Sequence, residues 1–262
     1  LSNTAFSLSH ELNVASFNVR YDNPSDTLLW VDRHREVAGA VMYNELIGFQ
    51  EVLPNQYEDL VQSLADFDSY GIGRDGMGEG EASPIFWRRD RFDLLHTETR
   101  WLGDTPHLPG SIAKGAELPR VVTIVLLLDR QSGLKLRVLN THWSHVSEEA
   151  RLHSAAQLTG WCGLSTDEVV VLIGDLNAEP HETAYLQLLE GAALSDTYDI
   201  ARYRCRRSFG TMPGFDPAAG KNIKRIDYIL VRGTEVEWVC ADENVKWGLY
   251  ISDHLPVHAV LK

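Results

Sequence analysis

The feature that most limits how this chain can fold is Glu168–Ile173, where one glutamate is followed by an unbroken Val-Val-Val-Leu-Ile. A strand that is apolar on both faces must be covered on both, so it belongs inside a sheet packed between other layers. The longest apolar run, Val121–Leu128, is also strand-sized. It falls far short of the roughly 18–20 residues needed to span a bilayer, so no integral membrane association is expected. With 262 residues, 44% of them apolar and 23% charged, the chain has ample material for a sizeable core.

Around that strand, short apolar runs alternate with amphipathic stretches. Leu12–Phe17 reads as a strand, Asp32–Leu46 as a helix and Ile47–Phe49 as a short buried strand. Pro54 opens a helix to about Ala65, since proline is tolerated in a first turn. Gly71 to Pro84 reads as a glycine-rich loop before a strand at Ile85–Arg88. Val121–Asp129 and Leu134–Thr141, separated by Arg-Gln-Ser-Gly, read as a hairpin. Ser147 leads into a helix to about Cys162, another lies near Glu182–Leu189, and strands follow at Arg225–Val231, Val236–Cys240 and Val257–Leu261. No linker, repeat or low-complexity tract interrupts this order. The expectation is one α/β domain over residues 1–262 with mixed sheets.

Polar residues fall at the strand ends, where α/β proteins place catalytic groups on a rigid scaffold. Asn18 follows the first strand, Gln50-Glu51 the second, Asn140-Thr141-His142 the hairpin, and Asp175-Leu176-Asn177 the apolar strand. Asp227 lies in Arg-Ile-Asp-Tyr, and Ser252-Asp253-His254 precedes the last strand. Singly, each has a plain reading: Asn18 and Gly174–Asn177 as turns, Asp227 as a partner for Arg225, His142 and His254 as core histidines. Together they exceed what turns require. Hard oxygen donors without a cysteine cluster select Mg²⁺, or Mn²⁺, over Zn²⁺. The histidines lack close metal spacing and better suit charge stabilisation or proton movement. Asp175 and Asn177, two apart in an extended segment, point the same way.

Phe17-Asn18-Val19-Arg20, Gly48-Phe49-Gln50-Glu51-Val52, Asn140-Thr141-His142, Gly174-Asp175-Leu176-Asn177, Arg225-Ile226-Asp227-Tyr228 and Ser252-Asp253-His254-Leu255-Pro256-Val257 occur in that order. This set resembles the signature of the endonuclease/exonuclease/phosphatase superfamily, the DNase I-like fold, across residues 12–261. Asn18–Pro24, Gly73-Arg74-Asp75-Gly76 and Gly78-Glu79 are similar to a bacterial and fungal branch of mostly unassigned substrate. The resemblance implies a four-layer α/β/β/α sandwich of two mixed sheets flanked by helices. It implies Glu51 as principal Mg²⁺ ligand with Asn18 and Asp253 beside it. Asp175 would deprotonate the attacking water, and Asn177 would hold that water or a phosphoryl oxygen. His254, oriented by Asp227, would contact the phosphate, and His142 would stabilise phosphoryl oxygens or assist the leaving group. The implied reaction is direct in-line attack of water on a phosphate ester.

Charge bears on the substrate. The chain carries 24 Lys+Arg against 37 Asp+Glu, a formal net charge of −13. That disfavours a long nucleic-acid track, which needs a basic stripe with interleaved aromatics. Residues 202–225, including Arg207, are the exception, with seven basic residues and one acid, Asp216. This segment is either a solvated loop or a frame that holds a phosphate by bidentate arginine contacts. Arg74 is open between turn and substrate contact, and Arg120 is read as a phosphate contact. Trp143 and His145 form an aromatic wall or pack inward, with Trp143 carried as a substrate-binding candidate. Trp30, Trp87, Trp101 and Trp247 are assigned to the core.

The favoured substrate is therefore a compact phosphate mono- or diester. A nuclease of the same fold is the alternative, and a non-catalytic phosphate-binding protein the second alternative, although no expected metal or base residue is missing. A monomer is expected. Three scattered cysteines make no disulfide framework and do not fix the compartment. A chain beginning at Leu1 rather than Met fits either a cytoplasmic protein or one secreted after leader removal.

Overall fold

Along Glu168–Asp175 the side chains alternate between two cores: Val169, Val171 and Ile173 face one, Val170 and Leu172 the other. This strand lies inside a sheet in the computed structural model, which describes residues 11–76, 78–163, 168–205, 210–218 and 223–262. The elements begin with β1 (Leu12–Asn18), α1 (Trp30–Val41), β2 (Leu46–Gln50), α2 (Pro54–Ser63), β3 (Phe67–Tyr70), β4 (Ile85–Arg88) and β5 (Phe92–Trp101). Next come β6 (Val121–Asp129), β7 (Lys135–His142), α3 (Glu148–Trp161), β8 (Glu168–Asp175), α4 (Thr183–Ala192), β9 (Ser195–Asp196) and α5 (Thr197–Ile200). The last are β10 (Tyr203–Arg204), β11 (Asp227–Arg232), β12 (Val236–Ala241), β13 (Val245–Lys246), β14 (Leu249–Tyr250) and β15 (Val257–Leu261).

One sheet runs β10-β12-β15-β1-β2-β4-β3 and the other β5-β6-β7-β8-β11-β9, and each mixes parallel with antiparallel pairs. Between them lies a core that joins Leu12, Val14 and Leu46 of the first sheet to Val138, Val171 and Ile229 of the second. Helices α1 and α2 cover the first sheet's outer face, where Val37, Val41 and Leu60 pack with Phe17 and Phe49. Helices α3 and α4 cover the second, with Leu158 and Leu188 against Leu172 and Leu230. The result is the expected four-layer α/β/β/α sandwich.

The sheets approach closely at Gly48, where a Cβ would lie 2.6 Å from Ile173 and 2.9 Å from Asn140. Buried Asn140 bridges the gap: its Nδ2 donates to the carbonyls of Phe49 and Pro84, and its Oδ1 accepts from Gln50 Nε2 at 2.7 Å. Two motif residues, Gln50 and Asn140, thus lock one sheet to the other just beneath the site.

Several local expectations are corrected. Helix α1 stops at Val41 rather than Leu46, because the Asn44 backbone and side chain both donate to the Val41 carbonyl and end the helix. Strands β3 and β5 were not visible as strands. In β5, Phe92–Trp101, only the two end residues are buried, so an edge strand with no alternating face gave no period to read. Trp30, Trp87 and Trp101 are buried, but Trp247 is 72% exposed. It sits with Gly248 at the tip of the β13–β14 hairpin, both at positive φ, which turns the indole outward.

Cysteine pairing was also not foreseen. The parallel pairing of β10 with β12 sets Arg204 beside Val239, so the next residues, Cys205 and Cys240, meet as a disulfide with Cα atoms 5.2 Å apart. Cys162 is free and buried. Under denaturing, non-reducing conditions one thiol per chain should titrate. Reduction should lower stability by about 3 kcal/mol, typical for a closed loop of this length and measurable as a fall in Tm.

Candidate active site

The C-terminal ends of β1, β2, β7 and β8 converge on one cleft, with the start of β11 and the residues after β14 closing it. In the second sheet, backbone register alone makes a row: His142 pairs with Asp175 across β7–β8, and Asp175 with Asp227 across β11–β8. His254 stands beside the row, its Nδ1 2.8 Å from Asp227 Oδ2 and its Nε2 3.8 Å from Asp175 Oδ2. From the first sheet, Asn18 Nδ2 donates to both Glu51 Oε1 and Asp175 Oδ2, each at 3.0 Å. One amide therefore ties the two sheets' carboxylates together.

Three non-glycine residues here, Arg20, Glu51 and Asn177, have φ of 58°, 62° and 46°. Left-handed backbone costs energy outside glycine and persists where the surroundings enforce it. The Asn177 amide N–H donates to Asp175 Oδ1 at 2.9 Å, and its Nδ2 lies 3.0 Å from His142 Nε2 and donates to the Trp143 carbonyl. The Tyr21 N–H donates to Glu51 Oε2 at 3.1 Å.

Burial raises the Asp175 carboxyl to about 7, and Asp227 pushes in the same direction, while His254, the Asn177 amide and Asn18 oppose the rise. Burial works against a charge on His254, but Asp227, Asp175 and Asp253 hold it well above its ordinary value, so it is an imidazolium. Burial, then Arg120 and Arg74, drive His142 well below its usual range and keep it neutral. Its Nδ1 is buried without a partner. Two histidines a few ångströms apart thus hold opposite charge states, each suited to a different task.

The cleft has a volume of about 450 Å³, and Glu51, Asp175, Asn177, Asp253, His142 and His254 are among its lining residues. Arg74 and Arg120 line it too. Of the expected substrate contacts, Trp143 is corrected: its side chain is fully buried in the outer core of the second sheet, and only its carbonyl serves the site. Its neighbour His145 does line the cleft. Arg207 lies outside the described residues. Three described arginines of 202–225 turn elsewhere: Arg225 pairs with Asp196 at 2.6 Å, Arg202 with Glu237 at 3.7 Å, and Arg204 donates to the carbonyls of Tyr198 and Asp199. From that segment Met212 lines the cleft.

Two groups offer metal ligands. Glu51 and Asp253 present carboxylate oxygens to the cleft, a hard donor set suited to Mg²⁺ or Mn²⁺. Asp175, Asp227 and His254 form a tighter buried group with ligand atoms within 4.8 Å of one another. In that group the His254 ring stands between the two carboxylates, 2.8 Å from Asp227 and 3.8 Å from Asp175. Asn18, the other expected ligand, turns its Oδ1 to the Arg20 N–H and its nitrogen to the Glu51 and Asp175 carboxylates, so it bridges the two.

Sequence reasoning missed the residues that hold this frame. Thr211 Oγ1 accepts from the backbone N–H groups of Ile226 and Asp227, and its carbonyl from Leu255 N–H, so it fixes the Asp227–His254 pair. Ser252 Oγ donates to the Asn18 carbonyl at 2.7 Å. Arg33, fully buried on α1, donates to the carbonyls of Val19, Arg20 and Ile251, which belong to the two segments carrying Asn18 and Asp253. Burial pushes its guanidinium down to about 10 despite the pull of Asp253. No sequence pattern marks such a residue, because its partners are backbone atoms 13 to 218 positions away. Arg33→Met should cost about 2–4 kcal/mol in urea unfolding, since it strands several buried carbonyls.

A model of the endonuclease/exonuclease/phosphatase family matches residues 15–254. Among solved structures, a family protein from Bacteroides thetaiotaomicron is 30% identical, with TM-score 0.89 over 96% of this chain and 97% of that one. The Bacteroides thetaiotaomicron VPI-5482 mannosyl-6-phosphatase is also 30% identical, with TM-score 0.89 over 96% of this chain and 99% of that one. D. rerio TDP2 complexed with single-strand DNA product shares the fold at 20% identity, with TM-score 0.73 over 96% and 99% of the two chains. No curated protein gives a significant match. A sandwich whose two sheets each deliver half of one acidic, imidazole-rich cleft, matched over nearly its whole length, places the chain in the endonuclease/exonuclease/phosphatase family, hydrolases of phosphate ester bonds with the DNase I-like fold.

Proposed function

We propose that the chain is a Mg²⁺-dependent phosphoesterase that hydrolyses a compact phosphate ester by direct in-line attack of water. The observation that carries this reading is the Asp175–Asn177–His142 arrangement, with the His254 imidazolium behind it, at the floor of the cleft. Asp175, raised to about 7, is poised to take a proton near neutral pH. Asn177 Nδ2 and the neutral His142 lie beside it to orient the water or a phosphoryl oxygen. The Asp227-paired His254 keeps positive charge where negative charge develops on the phosphoryl group. A divalent ion held by Glu51 and Asp253 would neutralise charge on a phosphoryl oxygen. Arg74 and Arg120 supply cationic contacts from the far wall of the cleft.

The compact substrate is supported by the cleft's size and by the net charge of −13. The mannosyl-6-phosphatase relative makes a phosphosugar a reasonable first trial. Among the described residues no helix is long and apolar enough to cross a membrane. The Cys205–Cys240 bond favours an oxidising compartment over the cytoplasm. A panel of sugar phosphates, inositol phosphates, nucleotides and single-stranded DNA with Mg²⁺ tests the reading. Turnover of at least one small ester is expected, and preference for long DNA over all of them would overturn it.

A further inference from the structure

Arg120 is 6% exposed, and among the described residues no carboxylate lies within ion-pair distance of it. Its hydrogen bond is a contact of 3.2 Å between Nη2 and His145 Nδ1. Arg74, 9% exposed, stands near it and pairs with Glu81 at 2.7 Å, while its Nε is buried without a partner. Two guanidiniums therefore share one carboxylate. Burial, then repulsion from Arg74, pushes Arg120 down to about 10. A buried cation whose carboxylates, Glu81, Asp175 and Glu51, act on it only from beyond ion-pair distance is costly to the folded protein, and an anion arriving from the cleft relieves that cost.

Both guanidiniums also line a separate recess of about 10 Å³, bounded besides by Glu51, Glu81, Ala82, Ser83, Val121 and His142. That is room for about one water molecule and for no alkyl group. The cleft itself is far larger, about 450 Å³, with Tyr21, Leu118 and Met212 also among its lining residues.

We propose that this cleft selects phosphate monoesters and rejects diesters, with Arg120 and Arg74 reading the oxygen that a diester would carry as an ester. The inference rests on the phosphoesterase reading and names the substrate class within it. In an in-line displacement the attacking and leaving oxygens are axial and three oxygens lie around the equator. One of these faces Glu51 and Asp253, one faces Asn177, His142 and His254, and one faces Arg120 and Arg74. In a monoester all three are unsubstituted. In a diester one bears carbon, which would meet the closed recess and leave Arg120 unpaired, press on the buried histidine row, or take from Glu51 and Asp253 the charged oxygen that a cation held there requires. The axial alcohol leaves into the larger cleft. Water's oxygen bonds to phosphorus, its proton passes to Asp175, the ester P–O bond breaks, and the departing oxygen takes a proton from solvent, giving an alcohol and inorganic phosphate.

The test compares 4-nitrophenyl phosphate with methyl 4-nitrophenyl phosphate, which share a leaving group, on the whole chain with Mg²⁺. A kcat/KM ratio of roughly 100 or more in favour of the monoester is expected, as befits an unpaired buried charge on the disfavoured side. Arg120→Met should shrink that ratio roughly 10- to 100-fold, chiefly through loss on the monoester, and Arg120→Lys should restore part of it. On the wild-type chain, independently of any variant's folding, inorganic phosphate should compete with substrate while dimethyl phosphate should not. Similar turnover of both esters, equal losses on both in Arg120→Met, or equal competition by both anions would overturn the proposal and leave the phosphoesterase reading standing. Turnover of neither ester, nor of any other phosphate ester, would overturn both.

Discussion

Replacing Asp175 by Asn is expected to lower kcat by roughly 10³–10⁴-fold while the protein stays folded. The carboxyl is buried beside Asp227 and held up to about 7, so it is ready to accept a proton from water at neutral pH, and an amide cannot. Losing the charge should cost the fold little. The variant gives up the Asn18 contact to Oδ2 but is relieved of repulsion from Asp227, and its amide oxygen still accepts the Asn177 N–H. Its Tm should therefore lie close to that of the wild type, a pattern found where an active site trades stability for chemistry. Single-turnover rates beside a thermal melt make the comparison. A kcat within tenfold of wild type would remove Asp175 as the base.

Glu51→Gln is the second large effect. Glu51 faces the cleft, fixed at a left-handed backbone position by two donors, Asn18 Nδ2 and the Tyr21 N–H. Glutamine keeps the shape but removes the negative charge that a hard cation requires, and it brings a nitrogen against one of those donors. Since a bound divalent ion contributes several kcal/mol of charge stabilisation, activity at fixed Mg²⁺ should fall by about 10³-fold. Calorimetric titration of the free protein with Mn²⁺ should show the binding heat lost in parallel. Unchanged Mn²⁺ affinity in Glu51→Gln would assign the ion instead to the Asp175–Asp227–His254 group, where Asp227→Asn would then be the variant that abolishes binding.

The two effects differ in how far the sequence anticipates them. His142 and Asp175 are legible because each ends a strand, and Asp227 because it opens one, and the pairing then aligns them in one row. That β8 is covered on both faces is legible in its unbroken apolar run, while the four-layer sandwich follows from the resemblance of the ordered motifs. Long-range electrostatics is not legible. Counting charges left residues 202–225 open between a solvated loop and a phosphate frame, and within it Arg225 and Arg202 pair with Asp196 and Glu237 while Arg207 lies outside the described residues. The cations that face the cleft, Arg20, Arg74 and Arg120, are scattered along the chain and meet only after folding. Nor does linear sequence show which side of Asn18 faces inward, or that α1 sends Arg33 beneath two loops. Such choices depend on backbone atoms that no residue pattern records.

The close approach at Gly48 and the Asn140 bridge have a consequence for how this molecule answers its ligands. Glu51 and Asp253 ride on one sheet, Asp175 and His142 on the other, so anything bound between them is a rivet through both slabs. Occupancy by metal and phosphate should therefore raise the energy of opening the entire sandwich rather than of one loop, growing as RT ln(1 + [L]/Kd). Amide protons in β1 and β8, on opposite sides of the seam, should slow together and by equal free energies as phosphate is titrated in.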